Sequence, residues 1–441
     1  MEMSLSRRMV RAARRLTLDQ LPAEVIAKVK IGLLDFLSCA FEARALPWGC
    51  QAIRMASEAA GVATVIGTPV RSSPAEAAFA NATLGHGLVR EDMHAGAVSH
   101  LGVVIFPTLL ALAQQRKASG PDFILGAVCG YEVGASIGRA IMDQDLVRRF
   151  RPTGITGPPA GAIAGSRLLA LDEDTTVSAL GFAANSTGGL NEWPYCGGDE
   201  MFFHPGFAAR NAVTAVQLAS LGTRASEGAL DGRAGLFAGL NKSDCIARVA
   251  PFSSAAFEIM SVYYKPAPAC NYAQTACQAA LALTGEPNLR SGDIASIVVK
   301  ASQAAVEYPG CDYAGPFERI LQAKMSIQYC VAATLVRGVI EESNYHFLDD
   351  PEITRLAGVT KLEADAAFSA AYPGAQGTEV ILKLRDGRIL RANLDDVIPA
   401  TPEQIRARFR SACPNAPAIE KIVDELDQQE DMSVLSGGLA A

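Results

Sequence analysis

The sequence of 441 residues predicts a mainly α-helical fold, in which a large all-helical domain is joined to a smaller α+β domain. Ala- and Leu-rich segments with the apolar spacing of helices fill the chain before residue 266. Segments that alternate with the two-residue period of a strand appear only after that point. The chain is also too long for one simple core, which favours more than one domain.

Before residue 266 the predicted helices follow one another with few interruptions. A basic stretch from Arg7 to Arg15 predicts a first surface helix rather than a targeting peptide. From Pro22 to Phe41 apolar residues recur at helical spacing, and proline suits a first helical turn. The same periodicity predicts helices over residues 75–85, 103–115, 123–142, 161–171, 175–186 and 208–221.

Small residues recur at about every fourth position in one of these segments, at Gly154, Gly157, Gly161 and Gly165. No strand precedes them and no Gly-Lys-Ser/Thr ends the run, so the pattern is not that of a phosphate-binding loop. It predicts close packing against a neighbouring helix.

After residue 266 the chain changes character. Residues 294–299 are rich in β-branched side chains, residues 378–384 alternate, and Asp386-Gly387 predicts a hairpin turn into residues 388–394. A helical segment at 274–283 precedes these strands and another at 325–341 lies between them, a pattern typical of a small α+β domain.

The last part of the chain is again helical in pattern, at residues 402–412 and 419–428. We predict that it returns to the first domain and that the tail from Ser433 is frayed. The predicted domains are therefore residues 1–265 together with 396–441, and residues 266–395.

Composition excludes several classes of protein. Hydrophobic residues make up 49% of the chain, charged residues 19%, and the net charge is −7. No basic stripe is present to bind nucleic acid, and no apolar run approaches the roughly 20 residues that span a bilayer. Ten cysteines without a Cys-x-x-Cys pair indicate reduced thiols, so a cytoplasmic protein is expected.

The most distinctive segment contains three of the five histidines, His86, His94 and His100, together with Glu91 and Asp92. It lies just before an apolar helical run, where titratable groups are often placed for proton transfer. Adjacent residues on a helix point in different directions, so at most one of the two acids is expected to face a cleft. The histidine spacing does not predict a metal site.

An ordered series of segments along the whole chain resembles the MmgE/PrpD family. The matching segments are Leu21-Pro22 to Leu37, Asn81 to His86, Ser99-His100 to Pro107, Pro152-Thr153-Gly154 to Gly157, Gly206 to Asn211, Tyr264-Lys265-Pro266 with Cys270, and Ala323 to Tyr329. Family members include 2-methylcitrate dehydratase, cis-aconitate decarboxylase and iminodisuccinate epimerase.

The resemblance implies a helical domain built from both ends of the chain, with a smaller α+β lid domain inserted between them. It also implies a homodimer and an active site in the interdomain cleft that uses neither metal nor cofactor. Family members remove a proton next to a carboxylate of a small di- or tricarboxylic acid, so a small polycarboxylate substrate is expected.

This sequence departs from the lyases of the family at several positions. Val89 stands where they have an aspartate, Arg151 replaces a histidine, and Met201 replaces a lysine. Gln274 stands where a histidine is often found. Expulsion of hydroxide usually needs a well-placed general acid, so these changes argue against dehydration.

Three residues are the candidate catalytic groups: His100, Lys265 and Cys270. An imidazole before an apolar helix, a lysine between aromatic residues and a tunable thiol can each act as an acid or base. Candidate substrate-binding residues are Asp92, Arg151, Thr153, Arg210, Gln274 and Lys324. Of these, Arg151 is best suited to a bidentate contact with a carboxylate, whereas structural ion pairs are the more common role of residues like Arg210 and Lys324.

Three functions remain open at this level. The missing dehydratase residues favour an epimerase that resembles iminodisuccinate epimerase, with two bases on opposite faces of the substrate. The alternative is a lyase, either dehydratase-like or decarboxylase-like. The third is a homologue without catalysis that binds a carboxylate metabolite.

Overall fold

The computed structural model describes residues 3–253 and 256–440 and confirms a mainly α-helical fold, with 61% of the chain helical. The α-helices are α1 (Leu5–Arg15), α2 (Ala23–Glu42), α3 (Pro47–Ser57), α4 (Pro74–His86), α5 (Gly102–Arg116), α6 (Gly120–Ile141), α7 (Gln144–Arg149), α8 (Pro152–Leu168), α9 (Glu173–Asn185), α10 (Trp193–Cys196), α11 (Glu200–Ser220), α12 (Leu236–Gly239), α13 (Gln274–Leu283), α14 (Gln303–Glu307), α15 (Ile320–Met325), α16 (Ile327–Arg337), α17 (Pro351–Gly358), α18 (Ala366–Ala371), α19 (Pro402–Ala412), α20 (Ala416–Asp424) and α21 (Leu435–Leu439).

The helices differ from the predicted ones in three places. Helix α8 begins at Pro152, well before the predicted start at residue 161, because nearly every side of it is buried. The segment predicted as one helix over 325–341 is interrupted at Ser326, whose extended backbone starts α16 and whose side chain caps it. The prediction of a frayed tail is wrong, since Leu435 and Leu439 are buried in the core.

The strands are β1 (Ala60–Thr64), β2 (Arg71–Ser72), β3 (Met93–His94), β4 (Val262–Tyr263), β5 (Ile294–Ala301), β6 (Thr360–Ala364), β7 (Thr378–Leu384) and β8 (Ile389–Leu394). One four-stranded sheet has the order β6-β5-β7-β8, with β5 parallel to β6 and the other pairs antiparallel. The predicted strands β5, β7 and β8 are present. The expectation that the first 265 residues contain only helices is wrong, because the short pairs β1–β2 and β3–β4 leave no alternating pattern.

Two apolar cores organise the chain. The first joins residues between 5 and 264 to residues between 400 and 439, and α19 packs there on α2 with Phe41 and Phe409 edge to edge. The second lies mainly between residues 267 and 394, where α13 packs on β7 and β8. The antiparallel pair β3–β4 joins the histidine-rich segment to the chain just before Lys265.

Helix α6 is the one helix in the described part of the chain that is long and apolar enough to cross a membrane. The sequence alone did not predict such a run. Other helices of the same chain surround it, and 94% of its most apolar window is buried. This placement is that of a core helix in a globular protein.

Close packing at the small residues of α8 agrees with the sequence prediction. A Cβ atom added at Gly161 would lie 2.6 Å from the Cβ of Ala212 on α11, and one at Gly165 would lie 2.7 Å from Leu112. Real Cβ atoms do not approach other atoms so closely. Glycine is therefore needed at these two positions for α8 to pack against α11 and α5.

Replacing Gly161 by alanine is therefore expected to lower the free energy of unfolding by about 1–3 kcal/mol, as overpacked cores do. The matched control is Gly358→Ala at the end of α17, where nothing lies within 4 Å of the added carbon. That variant should be neutral or slightly stabilised. Urea unfolding of both variants measures the difference, and equal midpoints would contradict the packing argument.

Candidate active site

The loop between α4 and α5 carries most of the titratable groups of the site. It runs from Gly87 to Leu101, and the β3–β4 pair and a bridge between His94 and Ser99 hold it in place. Residues in a loop do not follow helical directions, so Glu91 and Asp92 are both buried. Neither of them lines the cavity, in agreement with the prediction that at most one faces a cleft, but neither lies in solvent.

His100 is oriented by its ring nitrogen Nδ1, which lies 2.8 Å from the carbonyl oxygen of Asp92. A carbonyl oxygen only accepts, so Nδ1 carries the proton and Nε2 holds the lone pair. No described residue is a hydrogen-bond partner of Nε2, and His100 lies on a cavity wall. Burial holds the pKa of His100 well below its ordinary value, against the opposing charge of Glu91. The imidazole is therefore neutral in the empty site and able to accept a proton.

Glu91 connects two histidines. Its Oε1 lies 2.5 Å from Nδ1 of His86 and 3.2 Å from Nδ1 of His100. Burial opposes ionisation, but the neighbouring His86, Lys265 and His100 together hold the pKa of Glu91 below its ordinary value. This carboxylate can therefore stabilise a positive charge on His100 whenever the imidazole is protonated.

Arg151 supplies a cation to the same cavity. Its Nη2 donates to Nε2 of His86 at 3.3 Å, which fixes the proton of His86 on the nitrogen that faces Glu91. The side chain is 7% exposed, and its Nε has no partner among the described residues. An arginine with a free donor on a cavity wall is suited to bind a carboxylate.

Lys265 is fully buried beside the cavity and does not line it. Its ammonium group donates to the carbonyl oxygen of Ala269 at 3.3 Å. Burial lowers the pKa of Lys265, and the charges of Glu91 and Cys270 oppose that effect.

Cys270 is the second titratable group on the wall that the sequence predicted as catalytic. Burial alone would raise its pKa, but the Cys311 thiol and the backbone N–H of Tyr272 donate to the sulfur. The positive charges of Lys265 and Arg151 act in the same direction, so the pKa lies below the ordinary value of a thiol. Such a thiol is available for proton transfer and is also reactive.

Four predicted substrate-binding residues instead hold the loops around the cavity. Asp92 accepts from the backbone N–H of Gly102 and from the hydroxyl of Tyr131. Thr153 accepts from the backbone N–H of His100 at 3.0 Å. These contacts position His100 rather than a ligand.

Gln274 and Lys324 serve the segment that leads to Cys270. The amide of Gln274 donates to three backbone carbonyl oxygens, those of Ala267, Ala269 and Cys270. Lys324 also lies next to this segment, where it is fully buried and forms an ion pair with Glu342.

Arg210 is separated from the site. It forms an ion pair with Glu76 at 2.5 Å between α11 and α4, with its side chain 36% exposed. It does not line the cavity.

The cavity has a volume of about 20 Å³, which holds about one water molecule, so its walls must move apart to admit a small organic acid. Its walls are formed by Val89, Met93, Val98, His100, Arg151, Met201, Cys270, Asn271, Tyr272, Tyr308 and Met325. Among the residues that the structure describes, no three His, Cys, Asp or Glu side chains are arranged to hold a metal ion.

Comparison with known proteins gives the family. The model of the MmgE/PrpD N-terminal domain matches residues 7–247, and that of the C-terminal domain matches residues 267–428. The chain belongs to the MmgE/PrpD family.

Several relatives carry the name of a lyase. The chain is 27% identical to a cis-aconitate decarboxylase of Aspergillus terreus, over 96% of this chain and 93% of that protein. It is 26% identical to the human cis-aconitate decarboxylase, over 98% of this chain and 94% of that protein. A cis-aconitate decarboxylase-like protein, oryM of Aspergillus oryzae, is 36% identical over 46% of this chain and 44% of its own length. These names favour the lyase alternative over the epimerase interpretation.

Three departures from the family's lyases lie together on the cavity wall. Val89, Arg151 and Met201 all line it. Val89 and Val98 also have positive φ angles of 58° and 50°. A β-branched residue in this conformation is strained, and such strain is typical of functional sites.

Some site residues were not among the predicted ones. His86 and Glu91 belong to the histidine-rich cluster, so their proximity in sequence was a usable signal. Tyr308, Asn271 and Tyr272 reach the cavity from the second core, and no local pattern marks them.

A buried acid, Asp35 of α2, lies behind this loop. Neither oxygen has a hydrogen-bond partner in the described part of the chain, and burial raises its pKa to about 7, against the charges of Arg408 and Arg90. The folded-state pKa lies above the unfolded value, so the protonated form stabilises the fold below pH ~4 and this contribution is lost as the pH rises towards 7.

The variant Asp35→Asn has no titratable group at this position and should not lose this contribution to stability as the pH rises. Its free energy of unfolding is expected to fall less than that of the native protein between pH 5 and pH 7, by about 2 kcal/mol. Urea unfolding at several pH values measures this, with Asp19→Asn at an exposed position as the control. The same pH dependence in native protein and Asp35→Asn would refute the assignment.

Proposed function

We propose that this protein is a lyase of small polycarboxylates and that it decarboxylates cis-aconitate or a close analogue. The observation that carries the proposal is the lone pair of His100 Nε2, directed to a closed cavity beside Arg151 and Cys270. The names of relatives that match nearly the full chain support decarboxylation over epimerisation.

The proposed reaction moves two electron pairs and one proton. The C–C bond to the departing carboxylate breaks, CO₂ leaves, and the bonding pair forms a new carbon–carbon double bond. The pair of the old double bond then takes a proton at its far carbon. The site must therefore supply one acid and hold the remaining carboxylates.

His100 is the acid in this scheme. An incoming polyanion raises the pKa of the imidazole, so that it binds a proton at Nε2 as the substrate enters. Glu91 stabilises the resulting imidazolium through Nδ1, at 3.2 Å. The charge is thus compensated before the proton is transferred to carbon.

The charged and the apolar residues around the cavity have different roles in binding the substrate. Arg151 binds a retained carboxylate through its free donors, and Lys265 adds positive charge from behind the wall. The apolar side chains of Val89, Met93 and Met201 face the departing carboxylate. Because they cannot replace its hydration, they favour the neutral product CO₂.

The decisive experiment is proton NMR of the purified protein with cis-aconitate in deuterated water. We expect new vinyl resonances, one deuterium in the product and release of CO₂. Exchange of a proton next to a carboxylate without new vinyl signals would instead indicate an epimerase. Binding of the substrate without any reaction would indicate the non-catalytic alternative, and both outcomes would reject the proposal.

Replacing Arg151 by methionine should raise KM by about 10- to 100-fold, which corresponds to the loss of one charge-assisted contact. The matched control is Arg210→Met, because Arg210 carries the same charge but is paired with Glu76 outside the cavity. Steady-state kinetics of both variants separate the two roles. An equal rise of KM in both would show that Arg151 does not bind substrate.

The proposed enzyme is a cytoplasmic homodimer that needs no cofactor. The family resemblance supports the dimer, and ten cysteines without a disulfide support a reducing compartment. Light scattering of the purified protein tests the dimer directly.

A further inference from the structure

Two thiols meet at the wall of the cavity. The Sγ atoms of Cys270 and Cys311 are 3.6 Å apart, which is van der Waals contact between sulfur atoms. A disulfide needs a separation of about 2.05 Å, so the two sulfur atoms must approach each other by about 1.5 Å for a bond to form. The two residues are 41 positions apart in the sequence, so the fold alone brings them together.

The two cysteines differ in access and in charge environment. Cys270 lines the cavity and has Lys265 and Arg151 as positive neighbours, which favour its thiolate. Cys311 lies behind it, is fully buried, and has a pKa well above the ordinary value because of burial. Cys270 is itself only 5% exposed, so the cavity is the route by which a small oxidant would reach its sulfur. A sulfur with positive neighbours and a second thiol behind it resembles a redox-active cysteine with a resolving partner.

We propose that Cys270 and Cys311 form a reversible disulfide when the protein meets a hydroperoxide, and that this disulfide switches off the site. The bond removes the thiol from the cavity wall beside Arg151. The inactivation rests on the proposed function, whereas formation of the bond does not.

The chemistry is balanced with hydrogen peroxide as the oxidant. The thiolate of Cys270 attacks one peroxide oxygen, the O–O bond breaks, and a sulfenic acid and hydroxide form. The sulfur of Cys311 then attacks the sulfenic sulfur, the S–O bond breaks, and the thiol proton leaves with that oxygen as water. Two thiols are oxidised by two electrons, and one peroxide is reduced to two waters. A dithiol reverses the change by exchange.

Other thiols of the chain provide the controls. Cys50 and Cys196 are exposed, so a Cys50→Ser/Cys196→Ser background removes surface oxidation and links between molecules. Cys277 and Cys330 form a second buried pair near the cavity that does not line it. Oxidation directed by the cavity should therefore leave that second pair reduced.

The test treats the full-length Cys50→Ser/Cys196→Ser protein with stoichiometric hydrogen peroxide, blocks free thiols, and maps peptides by mass spectrometry. We expect one linked peptide pair that joins Cys270 to Cys311, with a mass lower by two hydrogen atoms, and full reversal by dithiothreitol. In a Cys311→Ser variant the link should be absent and Cys270 should carry added oxygen instead.

Activity with cis-aconitate is followed in the same samples. Loss in proportion to the linked fraction, restored by dithiothreitol, supports the switch. A linked pair that leaves activity unchanged would refute the switch, while the disulfide would stand. Blocked free thiols at both positions after oxidation, or a link between Cys277 and Cys330 alone, would refute the disulfide itself. Since the mapping is done on protein with both cysteines present, a misfolded Cys311→Ser variant would not affect this outcome. Failure of the proposed reaction would appear before oxidation, as absence of activity in the reduced protein.

Discussion

Replacing His100 by alanine is expected to lower kcat by about 10²- to 10⁴-fold, the usual contribution of a positioned general acid or base. The expectation rests on one geometry. Nδ1 is committed to the carbonyl oxygen of Asp92 and to Glu91, so that only Nε2 can exchange a proton with a molecule in the cavity. Steady-state kinetics with the substrate identified by NMR measures the loss.

Two controls separate chemistry from folding in this experiment. His346 is exposed and far along the chain, so His346→Gln should leave kcat unchanged. Glu91→Gln keeps the shape of the acid but removes the charge that stabilises the imidazolium. It should therefore lower the pKa of His100 and shift the alkaline limb of the kcat/KM profile, where this acid loses its proton, to lower pH. A His100→Ala variant with native folding and native kcat would remove His100 from the mechanism.

Replacing Lys324 by methionine is expected to lower the free energy of unfolding by about 3–5 kcal/mol, as the loss of one partner from a buried ion pair does. The ammonium group donates to the carbonyl oxygens of Leu88 at 2.9 Å and Pro268 at 3.2 Å, and to Glu342 at 2.5 Å. It therefore holds the histidine-rich loop and the Cys270 segment together. Without it, three buried acceptors lose their donor.

Urea unfolding measures the loss of free energy. Two further variants test whether it comes from the unpaired carboxylate and from burial. Lys324→Met/Glu342→Leu should recover part of the loss, since it removes the unpaired carboxylate. Lys361→Met removes an ion pair with Glu363 in which the lysine side chain is 74% exposed, and should leave the free energy of unfolding nearly unchanged. Equal losses for Lys324→Met and Lys361→Met would show that burial does not matter at this pair.

The fold was predictable where a segment has one buried face. Strand β7 alternates because Val380, Leu382 and Leu384 face the core, and that alternation is visible in the sequence. Helix α8 was misplaced because it is buried on nearly all sides, which removes the contrast on which periodicity depends. The pairs β1–β2 and β3–β4 are too short to carry a pattern.

The site was predictable in its chemistry and less so in its roles. His100, Arg151 and Cys270 were identified from residue type and family resemblance, and they line one cavity. Asp92 and Gln274 were expected to bind substrate, but their polar atoms are used by nearby backbone groups. These hydrogen bonds are visible only in the folded protein, because the backbone groups that form them are brought near Asp92 and Gln274 by the conformation of the loops.

The sequence by itself determined the kind of protein: a mainly helical chain of the MmgE/PrpD family with an acid–base cluster before α5. Residue type, spacing and the order of motifs carry that information. The tertiary structure decided which polar groups face the cavity, that Glu91 joins His86 to His100, and that Cys270 meets Cys311. Burial and hydrogen-bond partners set the charge and reactivity of a side chain, and both come from residues distant in the chain.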